Sequence, residues 1–402
     1  MIISRKDYYI PFLLLTFPVI IDAFNGYQIL VNDGSAWVAT IYKAIILIYT
    51  SKFIFKSQLG HIIKKILFVL LFCFTYQISF HGGAPISEWV KFIFPYFVAG
   101  YFLRPNNKYS SYIILRCVVL YGVIASIIII ICGITGFGYN PYDAVIGTRG
   151  LFKGGNEICL TMLLTNCLTI YMYQKYNHVI DLLFFFLISI SCVIMATTAG
   201  IVGTIVIFIG FIITVFVVKI SNYTPSFNIK LILLLILILV SYYVIDTLIN
   251  AISEIDFLSR KFENISERFT ESSGRKHLID AAKITVMNFT PFDWFFGASN
   301  YYHKSIGGIV FDSRTLASAE VDWLDMIGEF GIIGAVTLAY KPIRETLTSI
   351  KYLITTKNLE TFWLFGINLL FMVTAFYAGH AFMSMNAVLL LLLVNSLFLN
   401  ID

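Results

Sequence analysis

Long apolar blocks separated by short polar stretches run through the whole chain of 402 residues. Blocks such as Ile113 to Ile134 come near the roughly 20 residues that a helix needs to cross the hydrocarbon core of a bilayer. None of them alternates as a porin strand does. The pattern predicts an all-α, polytopic integral membrane protein of about twelve transmembrane helices, at residues 9–30, 36–51, 66–80, 88–103, 112–134, 156–173, 179–197, 201–218, 231–250, 321–340, 361–379 and 382–399.

Two apolar stretches are too long for a single crossing. Residues 179–218 and 361–399 each hold about 40 residues, or about 60 Å of helix, which is twice the hydrocarbon thickness. Each stretch must therefore fold back or break. Because glycine permits tight turns, we predict breaks at residues 197–200 in the first stretch and at Gly379 and His380 in the second.

The composition agrees with a membrane protein, since 58% of the residues are hydrophobic and only 13% are charged. A soluble domain has about 45–50% and about 25%. The first apolar block lacks a small-residue cleavage site after a short core, so we expect a retained helix rather than a signal peptide. All six cysteines fall in predicted helices. Neither a disulfide framework nor a zinc site is predicted.

The positive charges divide unevenly between the two sides of the predicted bundle. With the N-terminus inside, the inner segments hold sixteen Lys and Arg residues, against Arg149 and Lys153 in the short outer loops. By the positive-inside rule both termini are cytoplasmic, and the one long hydrophilic segment, residues 251–320, is an external, periplasmic loop of a single polytopic domain, residues 1–402. The net charge of +5 is therefore an orientation signal, and no nucleic-acid partner is predicted.

The long loop contains a predicted short amphipathic helix. After Ser272 and Ser273, apolar residues recur at 278, 279, 282, 286 and 289, and Pro291 follows. The first turn carries Arg275 and Lys276, although a helix N-terminus favours negative charge. An anion bound there would explain both cations. The alternative is a solvated loop whose cations face water.

A second candidate site is the glycine-rich stretch that runs from Thr148 to Glu157. Its backbone N–H groups can line an anion site, and Arg149 offers a fork that fits phosphate oxygens. The alternative is structural: Asn156 precedes and caps the next helix, while Glu157 pairs with Lys153.

Acidic residues mark the start of the tenth predicted helix. Asp322, Asp325 and Glu329 share one helical face, while Glu320 points elsewhere. Carboxylates at membrane depth are costly, so this stripe should face the bundle interior or a water-filled cavity. These carboxylates are either functional or paired with cations for structural reasons. The candidate cations are the two lysines within predicted spans, Lys43 and Lys91.

His380 lies at the predicted turn between the last two helices. It is either a hydrogen-bonded interfacial residue or a catalytic one. It shares the predicted outer face with Arg149, Arg275 and Glu320, which makes it a candidate for substrate binding.

These segments, in this order, resemble the O-antigen polymerase (Wzy) family and the related O-antigen ligases. The resemblance covers residues 148 to 386, and its motifs are Arg149-Gly150-Leu151-Phe152, Thr197-Thr198-Ala199-Gly200, Ser273-Gly274-Arg275, Phe296-Gly297, Glu320-Val321-Asp322-Trp323-Leu324-Asp325, Gly328-Glu329-Phe330-Gly331-Ile332-Ile333-Gly334 and Gly379-His380-Ala381-Phe382. Ligases usually carry a histidine where this chain has Glu320, which favours a polymerase.

The resemblance implies a GT-C-like, inverting membrane glycosyltransferase that builds O-antigen or capsule. It would join repeat units carried on undecaprenyl diphosphate at the outer face of the bacterial inner membrane, without a metal or other cofactor. Its partners would be this lipid-linked oligosaccharide, the bilayer, a chain-length regulator and a flippase.

The resemblance also assigns roles to the candidate residues. Arg149 and Arg275 would stabilise the charge that develops on the leaving diphosphate. Glu320 or Asp322 would take the proton from the acceptor hydroxyl. The remaining substrate contacts would be Lys153, Asn156, Lys276, Arg314, Asp325 and His380.

A transporter of lipid-linked sugars or anions is the strongest rival. It would show repeated halves and charged residues near the bilayer midplane within interrupted helices. The halves of this chain do not match, and its candidate residues gather at one predicted face. The features that fit a transporter better are Lys43, Lys91, Asp325 and Glu329.

The charge asymmetry predicts that an impermeant thiol reagent labels a cysteine at Ser272 but not one at Thr356. The test uses single cysteines in a cysteine-free background and intact cells whose outer barrier has been permeabilised. Labelling of Thr356→Cys without labelling of Ser272→Cys would show that the predicted orientation is wrong.

Overall fold

The computed structural model describes residues 5–32, 37–57, 59–82, 86–105, 107–139, 147–217, 274–311, 317–319, 321–377 and 379–399. All regular structure in these ranges is helical, as predicted. The predicted span 231–250 lies outside them, and so do Glu320 and Arg314.

Eight helices are described before the long hydrophilic segment. They are α1 (Phe17–Asn32), α2 (Trp37–Ile54), α3 (Gly60–His81), α4 (Ile86–Phe102), α5 (Ser111–Thr135), α6 (Gly155–Tyr176), α7 (Val179–Ile194) and α8 (Thr198–Val217). Short helical turns at Arg5–Tyr8, Tyr9–Pro11 and Phe12–Thr16 lead into α1. Three shorter helices form what we call the cap, namely α9 (Gly274–Met287), α10 (Pro291–Phe296) and α11 (Ser299–Phe311). The last three are α12 (Asp322–Thr356), α13 (Leu359–Tyr377) and α14 (Met385–Leu399).

Seven helical segments in the described ranges are long and apolar enough to cross a membrane. They are Tyr9–Val31, Trp37–Ile54, Gly60–His81, Ser111–Thr135, Thr198–Val215, Asp322–Thr356 and Leu359–Phe376. Two shorter apolar helices, Val179–Ile194 and Met385–Phe398, accompany them. The predicted spans 88–103 and 156–173 correspond to α4 and α6, which are helical but not among the seven. The chain is a helical, multi-pass membrane protein by this measure.

The tenth predicted helix, 321–340, was placed too short. In the structure α12 continues to Thr356, with Pro342 inside it. Residues 341–356 carry several charges, which lowers their hydropathy, yet Pro342, Glu345 and Ser349 within this stretch are buried. The hydropathy pattern therefore located the apolar portion of α12 but not the residue at which the helix ends.

Helix α6 lies at the centre of the bundle, where every residue from Ile158 to Met172 is buried. It packs against α5, α7, α8, α13 and α14. Gln174 in its last turn donates to Thr214 Oγ1 at 2.6 Å and accepts from Trp363 Nε1 at 2.7 Å. Polar side chains within a bundle have no water to bind, so they hydrogen-bond between helices.

Both predicted breaks are present. At the second, Gly379 and His380 have left-handed backbone angles, with φ of 67° and 65°. At the first, the left-handed residue is Ala196, with φ of 51°, and Gly200 lies inside α8. A Cβ on Gly200 would lie 2.6 Å from the carbonyl oxygen of Cys192. Gly200 therefore permits close packing of two helices and does not form the turn.

Helix α12 is interrupted at Gly331, which has φ 68° and ψ 178°. The carbonyls just before this break, which would normally accept from N–H groups four residues on, are bound by other elements. Gln77 Nε2 donates to Glu329 O at 2.6 Å, and Cys73 Sγ donates to Phe330 O at 3.4 Å. The break thus attaches α12 to α3.

The cap docks at the same break. Ala298 N donates to Gly328 O at 2.9 Å, and Gln77 Nε2 also donates to Phe296 O at 3.1 Å. A Cβ on Gly331 would lie 2.3 Å from Phe295 O, so the two backbones touch. The break in α12 therefore holds the cap as well as α3.

The cap has an apolar cluster separate from that of the bundle. It includes Ala282 and Val286 of α9, Phe289 just after α9, Tyr302 of α11 and Leu324 of α12. Positions 282, 286 and 289 belong to the predicted apolar face of the loop helix, and α9 ends before Pro291 as predicted. The predicted capping serines 272 and 273 lie outside the described residues.

We expect Gly331→Ala to destabilise the protein, because the substitution combines a disfavoured backbone angle with a clash against the cap. Left-handed backbone alone costs about 1–3 kcal/mol for a residue other than glycine. The measurement is the thermal midpoint and the monodisperse yield of the detergent-solubilised protein.

Gly308→Ala is the matched control. Gly308 lies in α11 with no heavy atom within 4 Å of the added Cβ, so this variant should be at least as stable as wild type. Equal stability of the Gly331→Ala variant would contradict the role given to the break.

Candidate functional site

Asp322 is the first residue of α12 and is 1% exposed. Its Oδ2 accepts hydrogen bonds from the backbone N–H groups of Ala381 and Phe382, at 2.6 and 2.9 Å. These two residues directly follow the left-handed pair Gly379 and His380. The structure therefore brings Asp322 and the turn of His380 together. Asp322 Oδ1 is buried and has no hydrogen-bond partner among the described residues.

Asp325 joins α12 to the cap. Its Oδ1 accepts from the Tyr302 hydroxyl at 3.0 Å and from the backbone N–H of Ala319 at 2.8 Å. The side chain is 1% exposed, so these hydrogen bonds offset part of the cost of burying a carboxylate. Asp325 therefore fixes α11 and the segment that leads into α12.

Glu329 is paired with a histidine of the cap. His303 Nε2 lies 3.0 Å from Glu329 Oε1, and its Nδ1 lies 2.8 Å from Ala317 O. Both ring nitrogens can donate only in the protonated imidazole. Burial opposes that charge, but the hydrogen bond to Glu329 and the charge of Glu329 prevail and raise the pKa of His303 to about 9.

The partners of Asp325 and Glu329 are thus cap residues. Lys43, one of the two lysines considered as their structural partners, instead pairs with Asp22 at 3.7 Å. The sequence did not suggest these partners because they are distant along the chain from the acids they bind.

A further buried carboxylate holds the cap against α3. Asp293 Oδ1 accepts from the Tyr76 hydroxyl at 2.7 Å and lies 2.6 Å from His81 Nε2. Its Oδ2 accepts from the backbone and hydroxyl of Thr290, which completes a capping box at the start of α10. Burial raises the pKa of Asp293, but these hydrogen bonds outweigh burial and hold it below the usual range. The cap is therefore anchored to α3 through the contacts of Asp293 and to α12 through the pair of His303 and Glu329.

Arg149 lies in a tight loop between α5 and α6. Its backbone N–H donates to Tyr139 O at 2.8 Å, and its guanidinium lies 3.5 Å from Lys153 O. A Cβ on Gly155 would lie 2.8 Å from Arg149 Cδ and Nε, so the side chain packs over the first residue of α6. Arg149 is half-buried and Lys153 is exposed. Both cations therefore lie beside a helix N-terminus, as the glycine-rich pattern suggested.

The remaining predicted residues fall in different settings. Asn156 is the second residue of α6 and Gly154 precedes the helix, so the structural alternative of an Asn156 cap is wrong. Arg275 and Lys276 occupy the first turn of α9, and the Lys276 side chain is exposed. The Arg275 side chain lies outside the described part of the chain, as do Glu320 and Arg314.

Sequence reasoning missed the residues that hold the cap. Gln77, His81, Asp293 and His303 each contribute a hydrogen bond across elements distant in sequence. Gln77 could have been noticed, since a glutamine within the apolar helix α3 needs a partner. The residues of the hydrophilic loop carried no such signal, because polar side chains are ordinary there.

A metal site is not evident among the described residues, where no group of three His, Cys, Asp or Glu side chains is close enough to hold an ion. Neither a scan against protein-family models nor a search of the curated proteins gives a match for this chain. What the fold and the site define is a helical, multi-pass membrane protein with a docked cap and buried acidic residues beneath it.

The His303–Glu329 pair predicts a pH-dependent stability. Because the pKa of His303 is raised from 6.5 to about 9 in the folded protein, the pair stabilises fully below pH 6.5. This stabilisation is lost as the pH rises through about 9. We expect the thermal midpoint of wild type to exceed that of His303→Gln at about pH 6 and to converge with it at about pH 10.

His277→Gln is the control, since His277 is an exposed histidine of the same cap. Its thermal midpoint should follow that of wild type at every pH. A difference between wild type and His303→Gln that does not change with pH would argue against a charged pair.

Proposed function

We propose that this protein is a polysaccharide polymerase of the O-antigen polymerase type. It transfers a growing glycan from undecaprenyl diphosphate to a hydroxyl of a lipid-linked repeat unit, at the outer face of the bacterial inner membrane. The order of motifs from Arg149 to His380 supports this proposal.

The observation that carries the proposal is an apolar groove that begins at a buried acidic site. The groove has a volume of about 500 Å³ and is formed mainly by α12 and α13. It begins at Asp322 and Trp323 and passes Ala339 to reach Leu347. The lining residues thus extend along α12 on both sides of its interruption at Gly331. A polyprenyl chain in this groove would hold its diphosphate and sugar at the Asp322 end.

The chemistry at that end is nucleophilic substitution with inversion. The acceptor hydroxyl oxygen attacks the anomeric carbon of the donor, the bond from that carbon to the diphosphate oxygen breaks, and the diphosphate keeps the electron pair. Arg149 and Arg275 stabilise the leaving diphosphate, and Lys153, Lys276 and Arg314 have the same role in this proposal. The hydroxyl proton passes to a carboxylate.

Glu320 is the preferred base. Asp322 Oδ2 already accepts two backbone hydrogen bonds, which fix its position against the turn of His380. Asp322 therefore serves best as the residue that positions the turn of His380. Asn156, Asp325 and His380 complete the substrate contacts of this proposal.

The rest of the proposal concerns architecture and partners. About twelve transmembrane helices in a GT-C-like arrangement enclose the site, both termini are cytoplasmic, and residues 251–320 are periplasmic. A flippase supplies the lipid-linked repeat units, and a chain-length regulator limits the number that are joined. The reaction uses no metal or other cofactor.

Two other functions remain candidates. A ligase would transfer finished chains to another acceptor, and Glu320 in place of histidine disfavours it. A transporter is favoured by one observation, the interruption of α12 at Gly331 close to the buried pair of Glu329 and His303. Gene deletion separates these possibilities. Loss of a polymerase leaves single repeat units on the core where a separate ligase exists, whereas loss of a ligase leaves lipid-linked chains unattached.

We expect Arg149→Lys and Arg275→Lys each to fall well below wild type when they complement the deletion strain. Lysine keeps the charge but loses the bidentate fork that matches a diphosphate. Glu320→Gln should lower chain extension by about 10²-fold or more, because glutamine cannot accept the proton. The readout is the length distribution of surface polysaccharide, normalised to the amount of folded protein in the membrane.

Lys351→Arg is the control, since Lys351 lies in the exposed last part of α12 away from the groove entrance. Full-length polymer from both Arg→Lys variants would contradict the role of Arg149 and Arg275 in binding the diphosphate. Near-normal extension by Glu320→Gln would exclude it as the base.

A further inference from the structure

The short helix α10 of the cap exposes two large aromatic side chains. Phe292 is 64% exposed and Phe295 is 51% exposed. The two residues are three positions apart and so lie on one side of the helix. Single exposed apolar residues are ordinary, but a continuous apolar patch marks a surface that contacts a partner or a membrane. We call Phe292 and Phe295 the aromatic face of the cap.

The cap carries no outward charge around this face. Between Lys283 and His303 the only charged residue is Asp293. Asp293 is 4% exposed, and its hydrogen bonds to α3 and to the start of α10 hold it inside. The lysines on either flank, Lys283 and Lys304, are exposed. Residues 284–302, which the structure describes in full, therefore present no charged side chain to the surroundings.

Helix α10 lies beside the end of a membrane-spanning helix. The ring centroid of Phe292 is 6.3 Å from that of Tyr76 in α3, and the two ring planes are 28° apart. Helix α3 is a candidate membrane span whose last residue is His81. Tyr76 precedes that residue by about 8 Å of helix. Phe292 therefore lies alongside the last turns of the span and not beyond its end.

The aromatic face continues the apolar surface of α3. Tyr76 also packs against Phe80, with ring centroids 5.0 Å apart. Phe80 is 73% exposed, and Phe72, one turn before Tyr76, is exposed as well. Because α3 is a candidate span, these apolar side chains contact lipid. Phe292 and Phe80 pack against the same tyrosine, so the cap and α3 share one apolar surface.

We propose that the cap inserts its aromatic face into the bilayer, at the boundary between the lipid headgroups and the acyl chains. A helix at this boundary places its apolar side about 5–10 Å into the lipid and keeps its polar side away from it. Helix α10 meets both conditions, since Phe292 and Phe295 point outward and Asp293 points inward. Aromatic side chains are also the ones that membrane interfaces favour.

Lipid fits this surface better than a second copy of the chain does. A protein that covered Phe292 would also have to cover the exposed apolar side of α3, which lipid already contacts along the span. The bilayer thus holds the cap from a second direction, in addition to the hydrogen bonds from α3 and α12. The cap lies at the membrane surface and does not extend away from it into water. This placement is independent of the proposed function, because it uses only the fold.

The test measures how deeply spin labels on the cap enter the bilayer. Phe292→Cys and Phe295→Cys each carry a nitroxide label, and each variant is reconstituted in vesicles of phosphatidylethanolamine and phosphatidylglycerol. Relaxation of the label by oxygen, which concentrates among acyl chains, is compared with relaxation by a water-soluble nickel chelate. We expect oxygen to be the more effective reagent at both positions, at a depth of about 5–10 Å. The six native cysteines are buried, so unsubstituted protein carried through the same labelling gives the background signal.

Lys283→Cys is the matched control, since Lys283 belongs to the same cap and its exposed side chain lies 3.8 Å from the exposed Asp280. Its label should be relaxed more by the nickel chelate than by oxygen. The same result at positions 292 and 295 would overturn the insertion, because the aromatic face would then lie in water. Protection of both positions from both reagents would also overturn it, because a second copy of the chain would then cover the face in place of lipid.

Discussion

The fold depends on how the carbonyls before Gly331 are satisfied. An interrupted helix within a bilayer exposes backbone groups that water cannot reach, so other parts of the chain must bind them. Here Gln77 and Cys73 of α3 and Ala298 of the cap supply those hydrogen bonds. The same few atoms thus join α12, α3 and the cap. Glycine is required at the break because the backbone of the cap touches that of α12.

The buried carboxylates of α12 bind different parts of the structure. Asp325 and Glu329 bind the cap through Tyr302 and His303, whereas Asp322 binds the turn before α14. Asp325 and Glu329 both bind side chains of α11, whereas Asp322 binds the backbone of the turn. This arrangement leaves the start of α12 as the meeting point of the cap, the turn and the apolar groove. In the proposed function, the polar end of the lipid-linked substrate lies there and its polyprenyl chain lies in the groove.

The sequence predicted the helical class, the two breaks in long apolar stretches and the amphipathic loop helix, because these depend on local periodicity and on glycine. It failed at the end of α12, where charged residues continue a helix beyond its apolar part. It also failed to find His303 and Asp293, because their partners across the structure are more than 20 residues away and no local pattern specifies them. Asp22, Asn25 and Gln28 of α1 were detectable in principle, since three polar residues at helical spacing in an apolar segment require partners.

The central proposal is that the protein joins lipid-linked repeat units. The most direct measurement is a reaction of the purified protein with those units alone, followed by separation of the products by length. The account predicts a ladder of lipid-linked chains, each longer than the last by one repeat unit, with release of one undecaprenyl diphosphate for every bond formed. Folded wild-type protein that binds the repeat unit but yields no chain longer than one unit would contradict it.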